Sequence, residues 1–389
     1  MVLRRILILV LLCVVGTSFA SEKNKAKAER DSTKNLRFSI LGGPGYTPDF
    51  GILIGGSALF TFQMNMQDTI SKRSVVPVAF AFLFEGGVNL LVRPQLFFKE
   101  DKIRLMGKYT YVNTTDNYYG IGYSENKSIT RSDSTTSYSN SMFQINPIVL
   151  FRIPSSDFFV GPVYDLRINK ITDPSKGVQE DPYYVADGGE SEGIDMLTSG
   201  LGFKVSYDTR DVPANAYRGI YFDLQFLQYA TIFGSDYTFN VTDFTYSQYL
   251  RLPRLGERSV LAWMAKSSYA SGDIPFTQYP SVGSPFDLRG YYKGQFRDKS
   301  ASAIICEYRH MLNIEPHNFA TKMLSKLGFA AWGGVGFMGP SPWDIDGVLP
   351  NYGVGLRIEV QPRMNFRMDI GRDPIVGNTL LYFNMTEAF

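Results

Sequence analysis

The sequence predicts an all-β membrane protein, a sixteen-stranded antiparallel transmembrane β-barrel. Hydrophobic and polar residues alternate with a period of two along most of the chain, which indicates strands with one apolar and one polar face. Outside the N-terminus, no run of about 18 apolar residues is present that would form a membrane-spanning helix. Most of the alternating segments exceed the roughly 9–11 residues that a tilted strand needs to cross a bilayer.

The N-terminal residues 1–20 have the pattern of a secretory signal peptide. Two arginines precede a short apolar core, and Ala20 ends a cleavage motif of small residues. Residues 21–35 are polar and lack aromatic side chains, which predicts a short periplasmic linker before a barrel at 36–389. Together, the signal and the alternation predict the bacterial outer membrane as the location, after cleavage near Ala20.

Charge and cysteine content exclude several function classes. The chain has 39 Lys and Arg residues, two of them in the predicted signal, against 37 Asp and Glu residues. The mature chain is therefore formally neutral, which gives no reason to expect nucleic acid as a partner. Cys306 is the single cysteine outside the predicted signal, so no internal disulfide is expected.

No combination of residues predicts an enzyme. The only histidines are His310 and His317, and no Gly-x-Ser-x-Gly or P-loop motif is present. One mature cysteine and two histidines cannot provide the ligand spacing of a zinc site. We therefore predict no catalytic residue, no cofactor and no metal.

Each predicted strand shows the same alternation. In the clearest case, every second residue of 364–370 is apolar and the residues between them are polar or charged. A soluble β-sandwich would also alternate, but charged residues on the polar faces of consecutive strands indicate a wet lumen and favour the barrel. In chain order, the predicted strands are 37–43, 51–65, 74–85, 88–99, 102–112, 139–153, 157–168, 195–208, 218–230, 236–252, 257–272, 298–312, 325–338, 350–362, 363–372 and 377–389.

The connections between these strands differ in length on the two sides of the membrane. With the N-terminus in the periplasm, the connections at 100–101 and 154–156 are periplasmic and tight. The long connections at 113–138, 169–194 and 273–297 are all extracellular. Short periplasmic turns with long outer loops are typical of outer-membrane barrels.

Four motifs occur in the order in which one family of barrels has them. The loop before the twelfth predicted strand contains Leu288-Arg289-Gly290-Tyr291, which resembles the (V/I/L)-R-G-(F/Y) loop of the Omp85 superfamily. The others are an Asp-x-Arg-Asp turn at 208–211, a Glu-x-Arg strand at 307–309 and a Gly-x-Gly-Leu-Arg strand at 353–357. This family, also called the bacterial surface antigen family, includes the BamA and TamA assembly factors. The resemblance covers the whole predicted barrel.

The resemblance implies that the extracellular loop carrying Arg289 folds inward and is locked in the lumen. A buried guanidinium without a partner is costly, so Arg289 is expected to bind carboxylates. Gly290 would allow a positive φ at the loop tip, and Tyr291 would pack against the wall. The candidate lumen partners, which have lumen-facing parity on nearby strands, are Glu307 and Asp369, with Arg309 and Arg367 extending the network.

The end of the chain resembles the assembly signal of outer-membrane barrels, which implies that the barrel-assembly machinery inserts this protein. Glu387 interrupts the apolar face of this segment. The residues of the predicted signal, which share one parity, are Leu381, Phe383, Met385 and Phe389.

Two features depart from the family pattern. About fifteen residues separate the predicted signal peptide from the barrel, too few for a periplasmic POTRA domain, so the resemblance is to a barrel lacking POTRA domains. Ala331 stands on the thirteenth predicted strand where the family often has an Asp that meets the loop arginine. Both departures weaken the inference of an insertase role without affecting the fold.

Three functions are compatible with these observations, because a fold does not determine a function. The resemblance favours assistance in the insertion, assembly or translocation of outer-membrane or secreted proteins. The alternatives are a structural barrel that docks a partner protein and a passive pore plugged by its own loop. The expected partners are outer-membrane lipid, client or partner outer-membrane proteins and the barrel-assembly machinery.

Overall fold

The structure, a computed structural model, describes residues 35–84 and 86–389. The predicted signal peptide and all but the last residue of the predicted linker lie outside the described residues. Seventeen strands form one large antiparallel sheet. No helix in the described ranges is long and apolar enough to span a membrane.

The sheet contains most of the chain. A separate two-stranded ladder is formed by β13 (Ser281–Val282) and β14 (Phe296–Arg297). The strands of the large sheet are β1 (Arg37–Thr47), β2 (Gly51–Phe62), β3 (Ser74–Leu83), β4 (Gly87–Val92), β5 (Gln95–Phe98), β6 (Ile103–Asn117), β7 (Ser137–Arg152), β8 (Phe158–Thr172), β9 (Gly193–Asp208), β10 (Gly219–Tyr229), β11 (Phe239–Arg251), β12 (Ser259–Gly272), β15 (Ser300–Met311), β16 (Leu327–Gly339), β17 (Gly347–Gln361), β18 (Met364–Arg372) and β19 (Thr379–Met385).

The predicted sixteen-strand arrangement is confirmed, with one strand interrupted. β4 and β5 share a single position, because both pair with β3 on one side and with β6 on the other. Pro94 lies between them and has no N–H to contribute to a ladder. Its carbonyl still accepts a hydrogen bond from the Gly107 N–H of β6 (3.2 Å). Each predicted segment thus corresponds to one position in the sheet.

Strands that are consecutive in sequence are neighbours in the sheet, from the β1–β2 pair to the β18–β19 pair. The inward-turning segment between β12 and β15 is bypassed, since these two strands pair directly. The two ends of the series meet, because the rings of Tyr46 on β1 and Phe383 on β19 lie 6.2 Å apart. Among the described residues, no β-ladder joins β1 to β19. We call this line of contact the seam.

The outer face of the strands carries exposed large apolar side chains. On β7, Tyr138, Gln144 and Leu150 are buried, whereas Phe143 and Phe151 are 42% and 47% exposed. This alternation is expected of a barrel whose outer wall contacts lipid. Other large apolar side chains exposed on the strands include Ile54, Phe80, Phe82, Leu105, Ile168, Leu201, Phe203, Ile304, Phe329, Val354 and Ile370.

The long connections gather at one end of the barrel, which we call the loop end; the opposite end is the turn end. They begin later than predicted, because β6 continues to Asn117 and β8 to Thr172 through extra pairing with their neighbours. The short helices in the connections are α1 (Tyr123–Ser128), α2 (Lys176–Gln179) and α3 (Pro182–Ala186) at the loop end, and α4 (Phe319–Leu324) at the turn end.

Aromatic packing joins the long loops into a cap. The Phe276 side chain is fully buried, and its ring centroid lies 5.1 Å from Tyr118, 5.4 Å from Tyr184 and 6.1 Å from Tyr138. Tyr118, Tyr184 and Phe276 belong to three different long connections. Edge-to-face aromatic contacts of this kind add to the stability gained from burial alone. The cap is therefore a packed structure.

The packing of the cap is expected to depend on pH through Asp187, which follows α3. Its Oδ2 accepts a hydrogen bond from the Phe276 N–H (2.7 Å). Burial raises the pKa of Asp187 from 3.8 to about 6, and the Asp273 and Asp181 carboxylates add to the rise. Because the folded cap holds this proton more tightly than the unfolded chain does, the stability of the cap falls as pH rises from about 4 to about 6.

Amide hydrogen exchange in residues 173–192, corrected for its intrinsic pH dependence, measures this effect. We expect more protection at about pH 4.5 than at about pH 7. Asp187→Asn should remove the difference, whereas Asp195→Asn, at an exposed position on β9, should preserve it. A difference that persists in Asp187→Asn would show that another group controls the packing.

Candidate functional site

The connection between β12 and β15, residues 273–299, enters the lumen; we call it the inward loop. The β13–β14 ladder forms its base. Leu288 and Tyr291 are buried and share an apolar cluster with Ile305 and Trp332 of the barrel wall. The inward loop therefore fills part of the lumen and is packed against β15 and β16.

Arg289 of the inward loop is fully buried and binds two carboxylates. Its Nη1 lies 2.7 Å from Asp369 Oδ2 on β18, and its Nη2 binds Glu307 Oε2 on β15. The guanidinium carbon also lies 3.5 Å from the ring centroid of Trp332 on β16. A planar guanidinium suits this combination of two acceptors and a stacked ring. One loop side chain thus connects three strands of the wall.

Two further arginines surround Glu307. Arg309, two residues along β15, places Nε 2.8 Å from Glu307 Oε1. Arg357 of β17 places Nη2 3.3 Å from the same oxygen. Because the exposed fraction of the Glu307 side chain is zero, these cations and Arg289 replace the water that the carboxylate loses.

Asp369 has a similar environment on the other side of Arg289. Arg357 Nη1 lies 2.6 Å from Asp369 Oδ1, and Arg367 Nη1 lies 2.5 Å from Asp369 Oδ2. Arg367 also donates from Nη2 to the Pro285 carbonyl in the inward loop (2.6 Å). Arg367 therefore holds the loop twice, once through Asp369 and once directly.

These groups form one buried set, which we call the arginine–carboxylate network. Every carboxylate of the set forms ion pairs with at least two arginines, including Glu387, which pairs with Arg309 and Arg357. Removing one member of such a set leaves its partners as uncompensated buried charges. The network consists of Arg289, Arg309, Arg357 and Arg367 with Glu307, Asp369 and Glu387.

The backbone at the loop tip lies directly against the wall. Gly290 has φ +122°, and a Cβ there would lie 2.8 Å from the Arg372 carbonyl carbon on β18, so only glycine fits without displacement. The Gly290 N–H donates to the Tyr382 hydroxyl (2.9 Å), and the Arg289 carbonyl accepts from Asn351 Nδ2 (3.0 Å). The loop tip is therefore positioned by its backbone as well as by the Arg289 side chain.

Sequence comparison identifies the family of this barrel. Residues 93–359, well over half of the chain, match the model of the Omp85 superfamily domain. The chain belongs to the Omp85 superfamily. It is accordingly an outer-membrane β-barrel protein of the kind that includes BamA and CdiB. No curated protein sequence matches the chain significantly.

Solved structures share the fold of this Omp85 barrel. BamA from Haemophilus ducreyi lacking POTRA domains 1–3 is 13% identical, with a TM-score of 0.60 over 90% of this chain and 70% of that chain. CdiB from Acinetobacter baumannii is 13% identical, with a TM-score of 0.57 over 90% of this chain and 60% of that chain. CdiB from Escherichia coli is 10% identical, with a TM-score of 0.57 over 90% and 62%. At these identities the similarity establishes the fold alone. The present chain spans less than two thirds of the length of either CdiB.

The predicted site residues of this Omp85 barrel come together. Leu288, Arg289, Gly290 and Tyr291 lie in the lumen, and all four candidate partners belong to the arginine–carboxylate network. The family position occupied by Ala331 points outward and is exposed. Trp332, the next residue, faces Arg289 instead and supplies a stacked ring in place of a carboxylate.

Sequence reasoning missed two charged members of the network. Arg357 lies on the polar face of β17 and ends the Gly-x-Gly-Leu-Arg motif. The alternation of this strand would therefore have placed it in the lumen. Glu387 was expected to interrupt an apolar strand face. The structure places it in the lumen, where its Oε2 lies 2.8 Å from Arg357 Nε.

The end of the Omp85 barrel differs from the predicted terminal strand. Leu381, Phe383 and Met385 lie in β19, but the strand ends at Met385 and does not continue to Phe389. Thr386 has φ +69° and turns the chain toward the lumen, where Glu387 finds its arginines. The Phe389 ring then packs near Tyr249 and under Arg309 instead of on the outer face. The role of these four residues as an assembly signal stays a prediction.

Proposed function

We propose that this Omp85 barrel assists the insertion, assembly or translocation of other outer-membrane or secreted proteins. Family membership supports the proposal, and the unladdered seam between β1 and β19 is the observation that carries it. The partners of the proposed function are unfolded client chains, outer-membrane lipid and the barrel-assembly machinery for its own insertion. We further propose that the mature chain begins after cleavage near Ala20.

The β1 side of the seam is weakly packed. Residues 42–45 are Gly-Gly-Pro-Gly and offer little side-chain surface to a neighbouring strand. The first four residues of β1 are exposed on both faces. An edge strand with free backbone groups can pair with an incoming strand, which is how β-augmentation recognises extended segments. β1 therefore suits the role of a template for a client strand.

The β19 side of the seam is held firmly. The Tyr382 hydroxyl bonds the Gly290 N–H, and Glu387, two residues beyond the strand, binds Arg357. Opening of the seam thus requires the β1–β2 hairpin to move while β19 remains attached to the arginine–carboxylate network. The inward loop would stay locked during this movement.

A few polar contacts at the loop end restrain the β1–β2 hairpin. The Lys293 N–H of the inward loop donates to Asp49 Oδ1 in the hairpin turn (2.7 Å). Arg131 of the first long loop donates to the Pro48 carbonyl (3.1 Å) and the Asp49 carbonyl (2.9 Å). Because a single hydrogen bond contributes only about 0.5–1.5 kcal/mol of net stability, these few contacts allow the hairpin to move.

Closing the seam chemically tests the proposal. Tyr46→Cys and Phe383→Cys, in a Cys306→Ser background, place two thiols across the seam where the native rings are 6.2 Å apart. The protein is reconstituted in liposomes and joined by a short bismaleimide. We expect the unlinked protein to accelerate the folding of a urea-unfolded outer-membrane barrel into these liposomes. Linking should abolish the acceleration.

The matched control joins two strands that already form a ladder. Ala58→Cys and Val78→Cys replace a registered pair on β2 and β3, and linking them should leave the acceleration intact. Acceleration that survives the seam link would exclude the seam as the route. If the protein never accelerates folding and its depletion leaves the outer-membrane proteome and surface secretion unchanged, the proposed function fails.

A further inference from the structure

A groove of about 730 Å³ opens at the turn end of the barrel, away from the inward loop and the seam contacts described above. The β2–β3 connection, residues 63–73, forms one side of it. The β5–β6 turn, residues 99–102, and the adjoining ends of these two strands form the other side. Nothing in the proposed function uses this groove.

The β5–β6 turn has an unusual backbone conformation. Lys99, Glu100 and Asp101 have φ of 52°, 58° and 61°, three consecutive residues in the left-handed region. This conformation is unfavourable for residues with a Cβ, so the surrounding contacts must enforce it. The turn therefore has a defined shape with a conformational cost, which is the kind of feature found at binding sites.

Several contacts enforce the turn. The Asp101 carboxylate binds Arg104 through two hydrogen bonds of 2.7 Å and also binds Arg152 (2.5 Å). From the β2–β3 connection, the Asp68 carboxylate accepts the Glu100 N–H (2.9 Å) and the Ser71 hydroxyl accepts the Asp101 N–H (2.8 Å). The two sides of the groove are thereby fixed relative to each other.

The groove presents two free ammonium groups. Lys72 and Lys99 line it and are exposed, and neither has an ion-pair partner among the described residues. Lys102 is paired with Glu100 (3.0 Å). The other acid of the groove, Asp68, already accepts hydrogen bonds from Ser71 of the same connection. These hydrogen bonds hold the pKa of Asp68 well below its usual range. The cations left for a ligand are therefore on opposite sides of the groove.

The β5–β6 side of the groove also has an apolar surface, which is continuous with the outer wall. Phe98 pairs with Ile103 across the β5–β6 hairpin. Their neighbours along the two strands, Phe97 and Arg104, point to the opposite face, toward the lumen. By this alternation, Phe98, Ile103 and the 37% exposed Leu105 face outward. A ligand with an anionic head between the lysines would therefore have its apolar part on the lipid-facing wall.

We propose that this groove binds a glycerophospholipid with an anionic headgroup. The ammonium groups of Lys72 and Lys99 would contact the headgroup, and an acyl chain would lie along Phe98, Ile103 and Leu105. With the short turns on the periplasmic side, the groove lies at the level of the phospholipid leaflet of the outer membrane. A soluble phosphate has no apolar part that could bind the apolar wall. The lysines together with this wall therefore favour a lipid as the ligand that carries the phosphate.

Titration of the purified barrel in detergent with phosphatidylglycerol, followed by native mass spectrometry, tests the site. We expect one phosphatidylglycerol molecule to be retained more tightly than any further molecules. Lys72→Gln combined with Lys99→Gln should weaken this binding at least about tenfold, because each lysine contributes to attraction of an anionic headgroup. Leu105→Ser should weaken it as well, through the acyl contact.

Lys170→Gln combined with Lys299→Gln is the control, because it makes the same charge change at exposed positions near the loop end. This control should retain the lipid, and all variants should keep the heat-modified electrophoretic shift of a folded barrel. Equal loss in the control would overturn the site, as would equal retention of phosphatidylcholine. Displacement of the lipid by glycerol 3-phosphate would show that the groove recognises a soluble phosphate instead.

Discussion

Arg289→Ala is expected to release the inward loop from the barrel wall. The substitution removes the ion pairs to Glu307 and Asp369 and the stacking on Trp332 together. Breaking a buried ion pair by removing one partner costs about 3–5 kcal/mol, because the remaining charge stays buried. We expect a loss of that size in the free energy of unfolding, and protease cleavage within residues 273–299 that the native barrel resists.

Two measurements check this expectation: the temperature of the heat-modified electrophoretic shift and limited proteolysis in detergent. Arg289→Lys should give an intermediate result, since one ammonium keeps the charge but cannot bridge both carboxylates and stack. Lys299→Ala, an exposed lysine at the end of the same loop, should behave like the native protein. Unchanged heat-modifiability and protease resistance in Arg289→Ala would mean that this residue does not lock the loop.

Asp369→Asn is expected to be at least as destabilising. Three arginines converge on this carboxylate, namely Arg289, Arg357 and Arg367. The amide keeps the shape of the side chain but removes its charge, so three buried guanidiniums lose a common counterion. We expect a loss of about 3–5 kcal/mol in the free energy of unfolding, with the loop released on the side of β18.

Denaturant unfolding in detergent measures this loss, and Asp344→Asn at the exposed β16–β17 turn is the control that should show none. The double variant Arg289→Ala with Asp369→Asn should lose less than the sum of the two single variants, because each single variant already breaks their shared pair. Strict additivity would show that the two residues act independently, contrary to the distances in the network.

Much of the fold was predictable because the side chains of a strand point alternately to its two faces. Alternation assigns each side chain of a strand to one face, so Glu307 and Asp369 were placed in the lumen without knowledge of any contact. A loop arginine in that lumen then has few carboxylates within reach. The same reasoning holds across the interruption at Pro94, since β4 and β5 remain in one position between their neighbours.

Parity fails where the backbone leaves the strand. Thr386 turns with a positive φ, and the direction of Glu387 and Phe389 after it cannot be derived from counting residues. The cap was likewise unpredictable, because Phe276 contacts residues of two other loops and of β7, and the relative positions of these loops depend on packing. Ala331 faces outward on β16, and the next residue, Trp332, is the one that faces Arg289.

The position of the inward loop in the chain has a consequence for the order of folding. Arg289 precedes Glu307 by 18 residues and Asp369 by 80, so its first partner is synthesised soon after it and its second only with the last strands. Contacts of large sequence separation form late, because loop-closure entropy must be overcome first. The cap that covers the loop end includes Phe276 of the inward loop itself, so the cap packs only when this loop is in place. We therefore expect the barrel to close and Arg289 to bind its carboxylates in a single kinetic step. A barrel that closed before this binding would be trapped with its inward loop outside the lumen.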